Sequence, residues 1–375
     1  TGALENQPDL VDRIAAVRPL YGICGEPLRG VRDPLRLAEA VRAAGFNAPR
    51  CSLSPADLPT DGSWLIKPLA SAGGHRIKPY LGHAVRAVAS QTAHYQRLSA
   101  EENRSPTAAP NRYFQEWIDG EPASAVYIAF GNSAICLGVT RQLIGLPWCG
   151  AADDGDCNFR YCGSVGPLDL PAPLAHRFEN LGKALAAAFR LRGLFGLDVI
   201  IRDGEIWPIE LNPRYTASTE IVERSRGLSA VRLHVNAFVV QDKLYEDDFA
   251  QEGTEETERK SLNSRPPLSR LPPMQFGTPQ EANLLPRSLN EVFGKAVLYA
   301  NEDLTVSETF LAWVAQQNVD CQWPRIADIP AEGSAIRTGQ PIVTVFAEGP
   351  DESEVLDGLK ARAQVTGRKL APSPA

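Results

Sequence analysis

The sequence predicts a mixed α/β (α+β) fold with helices and strands interleaved, and three stretches carry that prediction. Residues 193–212 hold two apolar runs, Leu197–Ile201 and Ile206–Leu211, around Asp203-Gly204, a pair that tolerates the positive φ of a tight turn. They read as a β-hairpin. Pro173–Leu191 sets Leu174, Phe178, Leu181, Leu185, Ala188 and Phe189 at helical spacing and leads straight into that hairpin. After a polar, proline-containing stretch, the chain resumes at Gly294 as a small β-rich unit closed by a helix.

Composition narrows the class. With 375 residues the chain has room for two or three domains, and 43% hydrophobic against 22% charged residues fits a globular protein with a sizeable core. A net charge of −7 without a long basic run argues against a nucleic-acid partner. No apolar run is long enough to span a bilayer, and the first residues lack the basic and apolar regions of a signal peptide, so no membrane is expected. Seven cysteines, an odd number in a chain of this size, read as reduced thiols and a cytoplasmic protein. Cys149, Cys157 and Cys162 form the one cluster, read as buried or incidental thiols with zinc the lesser alternative.

In chain order, residues 1–60 read as the tail of an α/β unit. Asp9–Val17 is a short helix. Asp33 caps a second one with Pro34 at its first position, running to Ala44 and stopping at Gly45. Trp64–Pro68 is a strand ending in Lys67, followed at once by Ser71-Ala-Gly73-Gly74-His75. A lysine at a buried strand end needs an anion, and small residues after it let backbone N–H groups approach phosphate oxygens. A surface hairpin with an exposed lysine is the plain alternative. A helix over His83–Ser99 precedes strands Tyr113–Ile118, Ala125–Phe130, Ser133–Ile144 and Phe159–Val165, and Arg141 and Arg160 are candidates for substrate recognition or simply solvated. Ser218–Arg226 and Ala230–Phe238 read as helices. Residues 246–287, acidic and then prolyl, read as a linker, giving divisions at 1–60, 61–245, 246–287 and 288–375.

Three oxygen-bearing side chains, Asp198, Glu210 and Asn212, sit within or at the end of the hairpin's apolar strands. Glu210 and Asn212 are two apart and share a face, and Asp198 on the partner strand can face them. Such a set suits Mg²⁺ (or Mn²⁺), and Arg214 can offer a planar fork to phosphate or carboxylate. Carboxylates turned to solvent are the alternative.

Glu210-Leu-Asn-Pro-Arg214 with Asp198 upstream resembles the metal-binding signature of the ATP-grasp superfamily, in which two α+β subdomains clamp ATP. The strand-Lys67-Pro68 with its glycines resembles that family's phosphate-covering loop, and Tyr113–Glu121 its adenine-holding crossover. Residues 294–363 resemble the C-terminal domain of biotin carboxylase. The resemblance implies that Lys67 contacts the α- and β-phosphates and that Ser71, Gly73 and Gly74 cover the transferred phosphoryl group. His75 would be a loop or phosphate contact. It places main-chain groups of Glu116 and Ile118 at the adenine edge, Gln115 beside it, and Glu121 at the ribose hydroxyls. Asp198, Glu210 and Asn212 would hold the metal, with Lys67 and Arg214 around the transferred group. Pro34 stands where many members have a phosphate-contacting lysine, and Arg32 or Arg36 is the substitute.

The implied activity is an ATP- and Mg²⁺-dependent carboxylate–amine (or thiol) ligase working through an acyl phosphate. The compact layout is closer to the tyramine–glutamate ligase type than to biotin carboxylase, whose Glu-His pair is missing after Arg214. A nucleotide-binding subunit or sensor without turnover is the second reading. The partners implied are small-molecule carboxylate and amine substrates, with a homodimer left open.

Overall fold

The computed structural model describes residues 4–70, 73–74, 76–81, 111–150, 159–239, 291–321 and 323–370. The expected helix at His83–Ser99 and the linker at 246–287 lie outside them. In chain order a 3₁₀ turn, Leu4–Asn6, precedes helices α1 (Pro8–Val17), α2 (Gly25–Arg32) and α3 (Pro34–Ala43). Strands β1 (Cys51–Ser52), β2 (Asp61–Pro68), β3 (Lys78–Leu81) and β4 (Arg112–Glu116) follow. Then come β5 (Glu121–Phe130), β6 (Ser133–Ile144), β7 (Tyr161–Gly166), helix α4 (Ala172–Phe189) and the hairpin β8 (Gly193–Arg202)–β9 (Glu205–Asn212). Helix α5 (Ala217–Arg226) leads to helix α6 (230–239). The chain continues with β10 (Val292–Tyr299), β11 (Leu304–Thr305), α7 (Glu308–Gln317), β12 (Ile326–Ala327), β13 (Ala335–Ile336), β14 (Pro341–Gly349) and α8 (Glu352–Leu370).

The local signals explain most of these elements. Asp33 caps α3, its carboxylate accepting from the Leu35 (2.9 Å) and Arg36 (3.3 Å) amides, and Pro34 opens the helix where no donor is needed. Asp203 and Gly204 both have positive φ, 55° and 74°, as a tight hairpin turn requires. Helix α2 has no counterpart in the sequence reading. Its Gly-Glu-Pro-Leu-Arg-Gly sequence is a poor helix former, and tertiary burial of Leu28 and Val31 holds it.

Among the described residues the strands form two main sheets. The smaller runs β1-β4-β2-β3; the larger runs β12-β14-β10-β7-β6-β5-β8-β9. β10 pairs antiparallel with both β7 and β14, so the C-terminal β-unit continues the central sheet across the division drawn at 288. β1 likewise joins the smaller sheet across the division at 60. Helices α1–α4 cover one face of β5 and β8, burying Ala123, Ala125, Tyr127, Phe195, Leu197 and Val199 against Phe178, Leu181 and Leu185. Side chains alternate along a strand, and on the opposite face Val126, Ile128 and Leu194 pack against α5 and α6, while Pro122, Ser124, Asp198 and Ile200 at the other end line a cleft facing the smaller sheet. No helix among the described residues is long and apolar enough to cross a membrane.

Candidate active site

Between the two sheets lies a cleft of about 540 Å³, within the usual range for a small-molecule site. The smaller sheet contributes Leu65, Lys67, Gln115 and Glu116; the larger contributes Ser124, Gln142, Asp198 and Glu210. The chain crosses from one sheet to the other at Trp117–Gly120, which also lines the cleft.

The hairpin carboxylates meet because of a bulge. From the two-residue turn the ladder counts Arg202↔Glu205, Ile201↔Ile206, Ile200↔Trp207 and Val199↔Pro208, and a regular ladder would next set Asp198 opposite Ile209. The register instead shifts by one, and Asp198 pairs with Glu210, Leu197 with Leu211, Gly196 with Asn212. A one-residue slip exchanges the two faces of a strand, so without it Asp198 and Glu210 would point to opposite sides. Pro208, which has no N–H for the ladder, sits at this irregularity.

A hydrogen-bonded chain ties these residues together. Asp198 accepts from Gln142 Nε2 (2.9 Å) and Asn212 Nδ2 (3.1 Å); Asn212 Oδ1 accepts from Arg214 Nη2 (3.2 Å); Arg214 Nε donates to Glu5 (2.6 Å). Glu210 accepts from Arg32 Nη1 (2.7 Å). Burial, and then the charge of Glu210, push the Asp198 carboxyl up from 3.8 to about 6. The folded state therefore keeps a proton that the unfolded chain releases between those values. The resulting penalty is absent below pH 3.8 and complete above about 6. Melting temperatures of the metal-free protein, taken in chelator from pH 4 to 7, are expected to fall across this window through this group, and Asp198→Asn is expected to flatten that fall.

Across the cleft Lys67 is buried and donates to Gln115 Oε1 (3.0 Å). Burial alone would lower its pKa, but the facing Tyr113 and Glu210 outweigh that and hold it above the ordinary value. Gly73 and Gly74 lie over the cleft; Tyr161 N–H donates to the Gly73 carbonyl at 3.2 Å. Gly74 has φ +77°, and a Cβ there would stand 1.8 Å from the Phe159 carbonyl oxygen, so only glycine fits this approach. Ser71 and His75 lie outside the described residues.

Several expected roles change. Glu121 does not line the cleft. It shares the helix-covered face of β5 with Ala123, Ala125 and Tyr127, and pairs with Arg141 (3.1 Å). Pro122 and Ser124 face the cleft instead, and Asp119 is the carboxylate beside the crossover. Arg141, on the same far face, also pairs with Glu352 (2.6 Å) and is not a cleft residue. Arg160 lies over the Tyr299 ring, 4.8 Å from its centre. Glu116 lines the cleft, its N–H taken by the Arg50 carbonyl (2.9 Å) and its carboxylate by the Arg50 side chain. The Ile118 amide donates to no backbone group among the described residues, and Ile118 lines the cleft. Gln115 spends its amide on Lys67, the Ile209 carbonyl (3.4 Å) and Cys51 (3.8 Å), so it holds the lysine. Of the two arginines weighed against Pro34, Arg32 stands at the site and Arg36 pairs away from it with Glu26.

Sequence reasoning missed Gln142, Ser124 and the cluster Tyr161, Ser164 and Ser218. The Tyr161 hydroxyl lies 2.8 Å from Ser164 Oγ, itself 3.2 Å from Ser218 Oγ. Gln142, Ser124, Tyr161 and Ser164 are unremarkable residues in largely apolar strands and Ser218 stands in the first turn of α5, so only the tertiary fold brings them together. Cys149 and Cys162 are buried and Cys157 lies outside the described residues.

The donor set fits a divalent cation of the magnesium kind. It offers carboxylate and amide oxygens, and two half-buried carboxylates stand opposite each other where their charges repel. The buried Ser124 hydroxyl stands opposite Asp198, near enough to ease its ionisation but without a well-aligned hydrogen bond. Among the described residues no three His, Cys, Asp or Glu side chains converge, so Asn212 is needed to complete the set.

Known proteins share this design. Residues 31–218, half of the chain, match the ATP-grasp domain family. An 85-residue stretch is 32% identical to the carbamoyl phosphate synthase large chain of Thermoplasma acidophilum, covering 23% of this chain. The chain spans only 8% of that protein's length and 47% of a second curated relative's. Among solved structures, the L-amino acid ligase from Bacillus licheniformis is similar over 97% of this chain and 78% of its own, with a TM-score of 0.61 at 13% identity. The biotin carboxylase domain of the Hydrogenobacter thermophilus 2-oxoglutarate carboxylase, solved with MgADP and bicarbonate, is similar over 95% and 70%, with a TM-score of 0.62 at 13% identity. At such identities these structures speak for the fold, and the mixed α/β architecture is theirs. With half its length matching the family and its two sheets enclosing a carboxylate-bearing cleft, the chain belongs to the ATP-grasp family.

Proposed function

We propose that this protein is an ATP- and Mg²⁺-dependent ligase that joins a carboxylate to an amine (or thiol) through an acyl phosphate. The observation that carries the reading is the pairing of Asp198 with Glu210 across the bulged hairpin, facing buried Lys67 over one cleft. The metal, held by Asp198, Glu210 and Asn212, would supply positive charge between the phosphates as the terminal bond breaks. The chain's own residues do the rest. Lys67, fixed by Gln115, neutralises phosphate oxygens, and Arg32 does so from the Glu210 side. The apolar crossover at Trp117–Ile118 offers the Ile118 N–H and Glu116 carbonyl to the base edge, with Asp119 near the sugar. Arg214 offers N–H donors to the transferred phosphoryl group. Gly73 and Gly74 bring the backbone over that group and exclude the water that would hydrolyse an acyl phosphate. No nucleophilic side chain is required, because the substrate carboxylate attacks the terminal phosphorus and releases ADP, and the amine then attacks the acyl carbon, expels phosphate and loses its proton.

The test is a phosphate-release screen of carboxylate and amine pairs with ATP and Mg²⁺, beginning with glutamate and aromatic amines. Release that requires both an acid and an amine is the expected result. Nucleotide binding with no acid-dependent release from any pair would favour the sensor reading, which Pro34 in the lysine position motivates.

A further inference from the structure

The segment Leu4–Asn6 lies outside the region that matches the ATP-grasp family, yet two of its side chains hold the site's two arginines. Glu5 is 5% exposed, and its carboxylate accepts from Arg214 Nε at 2.6 Å. Asn6 Oδ1 accepts from Arg32 Nη2 at 2.8 Å, and Arg32 in turn holds Glu210. A buried carboxylate is costly without a cationic partner, and the one it has here is a cleft residue.

Counting donors shows what this contact does. An arginine has five N–H groups. Arg214 gives Nε to Glu5, one Nη2 hydrogen to Asn212 (3.2 Å) and one Nη1 hydrogen to the Tyr215 carbonyl (3.4 Å). What remains is one N–H on each terminal nitrogen, enough to donate to two oxygens of a phosphate. Asn212 bridges Arg214 and Asp198, its oxygen accepting from Arg214 and its nitrogen donating to Asp198.

We infer that Glu5 is a positioning residue: it locks Arg214 so that its remaining N–H donors meet the γ-phosphate of a nucleoside triphosphate. This rests on the proposed ligase reading of the cleft. A nucleoside diphosphate has no γ-phosphate to meet these donors, so Glu5 should matter chiefly to the triphosphate.

The experiment compares ADP with the β,γ-imido analogue of ATP, each with Mg²⁺, by calorimetric titration of wild type, Glu5→Gln and Glu5→Asp, alongside melting curves. Glu5→Gln is expected to weaken the analogue about tenfold, the scale of one charge-assisted hydrogen bond, and ADP less than about twofold. Glu5→Asp, which keeps the charge but withdraws it by one methylene, is expected to cost about threefold for the analogue and serves if Glu5→Gln does not fold. Equal losses for both nucleotides would mean a merely structural role and would overturn the inference, as would no loss for either. If the wild type binds neither nucleotide, the ligase reading itself falls, which is a distinguishable result.

Discussion

Replacing Glu210 by glutamine is expected to lower ATP-dependent phosphate release by about 100- to 1000-fold, the scale seen when one preorganised charge-stabilising group is lost. The glutamine oxygen can still accept from Arg32, so the contact that closes this side of the cleft survives. What disappears is the negative charge opposite Asp198. With one carboxylate instead of two, the hairpin grips a divalent cation less tightly, and the phosphates lose the charge that offsets their bond breaking. Burial and Glu210 both raise the Asp198 carboxyl, so removing the Glu210 charge should also let Asp198 ionise more easily. The same charge also offsets Arg32 and buried Lys67, so the two effects oppose each other and the melting temperature should change little while activity collapses. Steady-state phosphate release beside a thermal melt checks both halves. Glu210→Ala is a poorer probe: it strands an Arg32 terminal nitrogen beside an Nε that is already buried without a partner.

Tyr127→Ala is expected to show the converse, a loss of about 3–5 kcal/mol in stability from emptying a packed aromatic site. Tyr127 is fully buried, its ring stacked on Phe195 with centroids 4.8 Å apart, and its hydroxyl donates to the Phe178 carbonyl at 3.0 Å. Helix α4 closes on it through Gly182, where a Cβ would stand 2.3 Å from the ring. Little could collapse into the space. Tyr127→Phe removes the hydrogen bond alone and should cost about 0.5–1.5 kcal/mol. Denaturant unfolding measures both. The ring lies on the face of β5 opposite Ser124, so what it supports is the strand that carries the cleft, not the chemistry.

Sequence patterning reached the elements whose signals are local. Asp33-Pro34 and Asp203-Gly204 dictate a helix start and a turn through backbone geometry alone, and both stand where expected. The facing of Asp198 and Glu210 was read from strand alternation, yet alternation counted from the turn would have separated them. The one-residue register shift beside Pro208 supplies the pairing, and it leaves Ile206, Pro208 and Leu211 all buried on the core side. Glu121 failed for a related reason. Both faces of β5 are apolar and buried beyond Pro122, so the strand carries no polar alternation to show which way its first residue points. Gln142 and Ser124 were invisible because neither residue type signals a site by itself; each acquires meaning only opposite Asp198. Glu5 lies more than two hundred residues from Arg214, and no local pattern could join them.

The central claim is that the hairpin oxygens and Lys67 hold a metal–nucleotide pair between the two sheets. Calorimetric titration of wild-type protein with ADP, in Mg²⁺ and then in chelator, addresses it most directly. The account predicts binding that needs the metal, weakens below about pH 6 as Asp198 takes up its proton, and is lost in Glu210→Gln. Binding of equal strength with and without the divalent ion, unchanged by Glu210→Gln, would contradict it.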